Sequence, residues 1–461
     1  MIQELKLSNF RIFDDEVKID FRPITVLIGR NSSGKSSLIK FLLMLQQSLR
    51  PPYKSFLNPE GDKVKMGNFQ SLKNSLTNKK SLQFGLRIES NQISEQIEQF
   101  IQLIRQGVDE NQEQMLKEPT NASVHRYQQT EAKEELKALF EYEADVPYTS
   151  HGTVKQVIKT RSNQGLEIEK EKVESISSSI LMDFSAMSSS MLKEKNFRKS
   201  VDENFPIMAL LQGGSSDDTT TFIRDMYDNM YLLAQAQEIT NLQHLSATRK
   251  VFSRVIEETT PPENSVEQDG RFAISHLQHL IEKESENTLL LHYLKSITDV
   301  EDVRFEGKDI VRKITAKNSK TKARTYLAEF GFGVGQVLPV IVQGVIQEPH
   351  THLMVEQPEA QLHPTAQLEL GSFFADIWKK RNVMSIIETH SDNILLRLRR
   401  LIAKGELDKE DVSVAFFTMK EEKQPIIRNL QIEEDGSMED GLPIEFFHAN
   451  IEEALKMRAG K

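Results

Sequence analysis

The sequence predicts an α/β protein with a mixed, mostly parallel sheet flanked by helices, and three observations lead there. The apolar run Ile24 to Ile28 (ITVLI) passes through a glycine-containing loop into a leucine-rich stretch. Two more short apolar runs, Leu353 to Val355 and Val383 to Ile387, bracket an amphipathic stretch from Thr365 to Trp378. Continuous apolar runs of this length suit strands buried on both faces, and their alternation with helices is the pattern of a parallel sheet covered on both sides.

Taken in chain order, Val17, Ile19 and Phe21 share one face of an alternating strand, and ITVLI is the first buried strand. LIKFLLMLQQSL is too long and too rich in leucine for a strand and reads as a buried helix. Leu82, Phe84, Leu86 and Ile88 alternate again, so a further strand is expected to close a first lobe near Glu89. From Asn91 to Ile239 the chain turns rich in Gln, Glu, Lys and Ser, which reads as a mainly helical insertion with a strand pair around Val154 to Val173. No heptad repeat is sustained there, which argues against a long coiled-coil arm. Beyond it, Ile310 to Ala316 and Ala323 to Phe330 flank a polar NSK turn as a hairpin, and Leu370, Phe373, Phe374 and Ile377 line one side of the Thr365 to Trp378 helix. Strands near Val412 to Met419 and Ile426 to Ile432 lead to a turn at Asp435-Gly436. The expected division is therefore 1–90, 91–239 and 240–461, the outer two forming one head.

The 461 residues contain no cysteine, which excludes disulfides, zinc-thiolate sites and cysteine nucleophiles. MIQELKLSNF lacks the pattern of a secretory leader and no long apolar run follows, so a cytoplasmic protein without membrane contact is expected. A net charge of -10 opposes general attraction to nucleic acid, although DNA binding through a local basic face stays open. Arg304 to Arg324 is the densest basic stretch and LRLRRLIAK the next; each also reads as a solvated surface.

Four stretches carry chemistry. Gly29, Arg30, Asn31, Ser32, Ser33, Gly34, Lys35 and Ser36, followed by Ser37, fit G-x-x-x-x-G-K-[ST] between a strand and a helix. In that setting backbone amides wrap phosphate, Lys35 reaches the β/γ-phosphates of ATP, and the Ser36 hydroxyl faces Mg²⁺. About 320 residues further on, Glu356 ends an apolar strand, where a carboxylate would help hold Mg²⁺. His390 follows the next apolar strand in IIETHSDN, a position from which an imidazole can meet a γ-phosphate. EFGFGVGQVLPV, Glu329 to Val340, is a glycine-rich helix start whose amides can bind an anion, although a tight turn uses the same glycines.

In this order the four resemble the ABC-type ATPase head shared by the RecF, SMC and OLD groups. IQELKLSNFRIF before the P-loop, together with EQPEAQLHP and ETHSDN, is similar to OLD-like bacterial ATPases of antiphage defence, standing alone without a TOPRIM nuclease domain. The resemblance covers residues 1–90 and 240–461. It implies head-to-tail dimers in which each ATP lies between one subunit's P-loop and the other's signature, formed here by Gly333, Gly335 and Gln336. It further implies Leu362 to Pro364 as the dimer-contacting loop and His390 as the switch histidine.

Two departures from that pattern matter. FGVGQ lacks the usual signature serine. The position after Glu356, normally the glutamate that polarises the attacking water, holds Gln357, and an amide orients water without accepting its proton. Three readings stay open: Glu359 acts as base, Gln357 only positions water and hydrolysis is slow, or ATP serves as a clamp. Slow hydrolysis is favoured, in a sensor or scaffold that controls a separate nuclease or toxin, since no D-x-D cluster in a strand context follows His390. The alternative is a RecF/SMC-like repair ATPase that binds duplex DNA.

Overall fold

The computed structural model describes residues 1–49, 57–74, 78–90, 138–147, 153–162, 167–175, 239, 241–257, 260–282, 288–307, 311–420 and 424–438. They fall into two compact units, Met1–Glu16 with Leu42–Thr240, and Val17–Phe41 with Asn241–Lys461. This division is not the linear one. The P-loop strand belongs in space with strands that follow some 360 to 390 residues later, because parallel neighbours need long crossovers.

In the first unit, β1 (Ile2–Ser8) pairs antiparallel with β4 (Ser81–Ser90), with Leu5 opposite Leu86 and Leu7 opposite Phe84. The expected closure near Glu89 does not occur. Strand β4 continues along its other edge into β5 (Ala138–Pro147), β6 (Thr153–Ser162) and β7 (Glu167–Ser175), each antiparallel to the one before. The expected strand pair corresponds to β6 and β7, whereas β5 was not anticipated. Its sequence ALFEYEADVP does alternate, but its acidic residues masked the period among helix-like neighbours. The helical expectation for the insertion falls on 91–137 and 176–238, outside the described residues. A loop in this unit is organised by buried Gln47, whose Nε2 donates to the carbonyls of Asn58 (2.6 Å) and Val64 (3.1 Å).

The second unit holds the parallel sheet. Its strand order is β16 (Gln424–Leu430), β15 (Val412–Lys420), β3 (Ile24–Gly29), β14 (Met384–Glu388), β13 (His352–Glu356) and β8 (Gln243–Leu245), all parallel except β16. All six residues of β3 and all five of β14 are buried, as continuous apolar runs predict. Each fully buried Ile or Val contributes roughly 1.5–3 kcal/mol.

Helix α1 (Lys35–Ser48) follows β3, and α2 (Phe69–Leu72), α3 (Ala273–Glu282) and α4 (Thr288–Thr298) come next along the chain. Helix α5 (Phe332–Ile346) precedes β13, α6 (Pro364–Arg381) connects β13 to β14, and α7 (Asp392–Ala403) follows β14. Helix α6 starts on the His363 side-chain cap with Pro364 in its first turn, and ends at left-handed Asn382. Leu370, Phe373, Phe374 and Ile377 are fully buried, and Phe373 meets the edge of Tyr293 at 5.1 Å.

A separate antiparallel sheet contains β9 (Val255–Glu257), β10 (Val300–Glu306), β11 (Val311–Asn318) and β12 (Arg324–Tyr326). The expected hairpin is present, but its second strand stops at Tyr326, and Leu327–Glu329 turn into a 3-10 helix instead of continuing it to Phe330. The turn at Asp435-Gly436 is present too. The Gly436 amide donates to Glu433 O (2.8 Å), and Asp435 accepts from the Ser437 amide (2.8 Å).

Candidate functional site

The site lies at the C-terminal ends of β3, β14 and β13, where an open parallel sheet presents its loops. Gly29 ends β3 at a φ of 142°, and a side chain there would collide with the Phe417 carbonyl on β15, so only glycine fits. Arg30, Asn31 and Ser32 form the exposed crest of the loop. Ser33 turns inward and its hydroxyl donates to Arg30 O at 2.7 Å, bracing the turn. Gly34, at a φ of 111°, starts the descent into α1, whose first three residues are Lys35, Ser36 and Ser37.

Lys35 is 3% exposed, and its ammonium donates to the carbonyls of Gly29 and Arg30, each at 2.8 Å. Burial lowers its pKa, and the charge of Glu388 opposes that. A buried ammonium that spends two of its three donors on the loop itself is held above the phosphate cradle with one donor to give.

Ser36 makes the contact that organises the acids. Its hydroxyl donates to Glu388 Oε1 (3.1 Å) and Oε2 (3.3 Å). Strand β14 lies between the P-loop strand and β13, so its terminal carboxylate, rather than that of Glu356, touches the P-loop serine. Glu356 stands opposite Glu388 in the parallel register. Glu388 is 3% exposed, and its pKa is pushed up to about 7 by burial first and the charge of Glu356 second.

Glu356 has its own support. His244, at the middle of β8, places Nε2 at 2.8 Å from Glu356 Oε1. Arg249 donates from Nη1 to Gln336 O (2.9 Å) and from Nη2 to the carbonyls of Glu356 and Gln357 (the latter at 3.3 Å). Burial lowers the Arg249 pKa to about 10, with Glu359 and Glu356 pulling the other way.

Gln357 is half-buried, adopts a positive φ of 44°, and its amide donates to Glu388 O at 2.7 Å. Glu359 is 8% exposed, and its Oε1 accepts from the His390 amide at 2.8 Å. Burial raises its pKa. Glu359 is thus turned inward, tying the turn after β13 to the loop after β14. His390 itself is exposed, and its pKa is lowered by partial burial and by Lys35.

The glycine-rich helix start lies against the turn and loop that follow β13, joined to them through Arg249. Gly331 caps α5, and exposed Phe332 and half-exposed Gly333 open it. A methyl group on Gly333 would come within 2.6 Å of Gln361 O, so this glycine permits a close approach to the QLHP loop. Gly335 is buried beside Val251 and Phe252, and Gln336 is 3% exposed with its amide bonded to the Arg249 backbone. Only the first turn of α5 is therefore displayed to the outside.

The sequence reading missed Glu388, His244 and Arg249. Glu388 had a signal, a carboxylate ending a second buried strand in the same relation as Glu356. His244 and Arg249 had none, since β8 is only three residues long and shows no period.

Hydroxyl and carboxylate oxygens from Ser36, Glu356 and Glu388 form a hard donor set that fits Mg²⁺, and Lys35 with the loop amides fits phosphate. A phosphate loop joining a parallel strand to a helix, with paired carboxylates on the next two strands, defines a P-loop nucleotide-binding α/β protein. The chain belongs to the AAA ATPase domain family, whose model matches residues 1–395. Among solved structures it is similar to the SMC head bound to the C-winged helix domain of ScpA, at 11% identity and a TM-score of 0.41, covering 93% of this chain and 98% of that one. It is also similar to the SMC head domain from Thermotoga maritima, at 9% and 0.36, covering 94% and 99%. A third is the Smc head with an extended coiled coil bound to the C-terminal domain of ScpA from Pyrococcus furiosus, at 11% and 0.41, covering 100% and 98%. No curated protein matches the chain. No described helix is long and apolar enough to cross a membrane.

Proposed function

We propose that this chain binds MgATP, hydrolyses it slowly, and uses the nucleotide state to control its assembly with itself and with a separate effector protein. Lys35 and the loop amides would hold the β/γ-phosphates, and Ser36 with Glu356 would hold Mg²⁺, which neutralises charge on the phosphates. The observation that carries slow hydrolysis is the position after Glu356. Gln357 stands there half-buried with its backbone fixed to β14, and the nearest alternative base, Glu359, faces inward onto the His390 amide. Gln357 carries no carboxylate, and that of Glu359 is buried, with Oε1 on the His390 amide and Oε2 enclosed rather than open to solvent.

Exposure of Phe332, Gln361 and the stretch from His363 to Thr365 supports head-to-tail pairing, in which one subunit's α5 start would meet the other's nucleotide. The likeness of EQPEAQLHP and ETHSDN to OLD-like sequences supports a sensor or scaffold role in antiphage defence, with a nuclease or toxin as effector. The DNA-repair alternative has less support. Lys320 and Lys322 of the basic hairpin bind Asp299 and Glu301, both at 2.8 Å, and Arg304 and Arg324 bind Asp302.

Turnover and native mass with and without MgATP test this reading together. Slow turnover with an ATP-dependent doubling of mass is expected. Fast turnover that survives both Gln357→Ala and Glu359→Ala would overturn it.

A further inference from the structure

Glu388 is a buried carboxylate with an unusual set of partners. Its oxygens accept from one neutral hydroxyl, that of Ser36, and no Lys, Arg or His lies within ion-pair distance of it among the described residues. Glu356, its neighbour across the strand pair, adds a second negative charge and is already engaged by His244 Nε2 at 2.8 Å. The three carboxylates here, Glu356, Glu359 and Glu388, stand against two buried cations, Lys35 and Arg249, and Arg249 is committed to three backbone carbonyls. Lys35 acts on Glu388 only from beyond ion-pair distance, and an ionised carboxylate this deep without a cation in contact is expensive; the buried examples that persist are paired or bind metal.

We propose that Glu388 is a magnesium-site carboxylate, acting beside Ser36 on the strand that separates the P-loop from Glu356. This rests on the reading of the P-loop as a MgATP site and adds to it a residue in direct contact with the P-loop hydroxyl. Glu356, held by His244 and by Arg249 through its carbonyl, is then the second, outer acid. The arrangement also accounts for Glu359 and Gln357. Both are tied to the loop and strand around Glu388, one through the His390 amide and the other through Glu388 O, and so fix where that carboxylate stands.

Mn²⁺ serves as the spectroscopic probe, with the full chain and a non-hydrolysable ATP analogue. Metal-free analogue affinity is measured alongside for wild type, Glu388→Gln, Glu388→Asp, Glu356→Gln and Lys35→Ala. Glu388→Gln is expected to keep or improve metal-free analogue binding, which also shows that it folds, while the Mn²⁺ affinity of the ternary complex falls about tenfold or more and its EPR line shape changes. Glu388→Asp keeps the charge, withdraws it by one methylene, and loses Mn²⁺ affinity in the same direction. Glu356→Gln is expected to lose less. If Glu388→Gln and Glu388→Asp both keep wild-type Mn²⁺ affinity and line shape while analogue binding is intact, the inference fails and the P-loop reading stands. If wild type binds no analogue, or Lys35→Ala binds as wild type does, the P-loop reading fails and takes the inference with it.

Discussion

Arg249 and Gln336 grip each other through both main chain and side chain. Gln336 Nε2 donates to Arg249 O (2.9 Å), its Oε1 accepts from Arg249 N (3.3 Å), and the Arg249 guanidinium donates back to Gln336 O (2.9 Å). The same guanidinium holds the turn after β13, so it joins the α5 start to the backbone of Glu356 and Gln357. Arg249→Lys is expected to lose about 2–4 kcal/mol in denaturant unfolding, because a single ammonium does not reproduce the planar fork and leaves buried carbonyls unmet. Wild-type stability in that variant would remove Arg249 as the joint.

Glu359→Gln and Glu359→Ala separate a base from a brace. Gln keeps an oxygen for the His390 amide, whereas Ala does not. Turnover is expected to survive Glu359→Gln and to fall with Glu359→Ala. Loss of turnover in both, with analogue affinity intact, would make Glu359 the base.

Glu388 makes the nucleotide-free protein sensitive to pH. Its folded pKa of about 7 lies above the ordinary 4.5, so the folded state holds a proton that the unfolded state releases between those values. Stability from this group therefore falls as pH rises from about 4.5 to 7 and stays low above 7. Glu388→Gln is expected to remove that slope and to raise stability above pH 7 by at most on the order of 3 kcal/mol. Thermal unfolding across pH reads it directly.

His352 works in the opposite sense. It is fully buried on β13 with neither ring nitrogen partnered among the described residues, and burial lowers its pKa to about 3 from the ordinary 6.5. The unfolded chain takes up a proton first, so stability from this residue is complete above pH 6.5 and is lost as pH falls toward 3. His352→Leu is expected to flatten the acid limb of the stability curve. An unchanged limb would show that His352 is solvated in solution.

Neutralising Lys320 and Lys322 together is expected to leave any DNA affinity within about twofold, since exposed ion pairs with Asp299 and Glu301 already offset both charges. A steep fall in affinity with a reduced salt slope would restore the DNA-binding alternative.

The elements that the sequence showed best are those whose burial is two-sided. ITVLI, HLMVE and MSIIE are continuous apolar runs, and a strand buried on both faces admits little else. The P-loop residues and Glu356 were legible because each terminates such a run. Glu388 was overlooked beside a more conspicuous histidine, although it occupies the same kind of position. His244 and Arg249 act through pairings over more than a hundred residues, and no local period records which carbonyl a guanidinium will reach. Strand β5 was hidden by its charges, and the close pairing of β3 with β14 and β15 redistributed a linear division that looked natural along the chain.

That last pairing bears on how the protein is born. The P-loop strand leaves the ribosome well before its two neighbours, which come from residues 384–388 and 412–420. At the ordinary pace of translation the loop waits roughly 20–80 s for Phe417, whose carbonyl stands against Gly29. Through that interval ITVLIG is an unpaired apolar ribbon, the kind of segment that chaperones shield. A nascent chain halted before β14 lacks the walls of its phosphate cradle, so nucleotide binding is expected only once synthesis has passed β15.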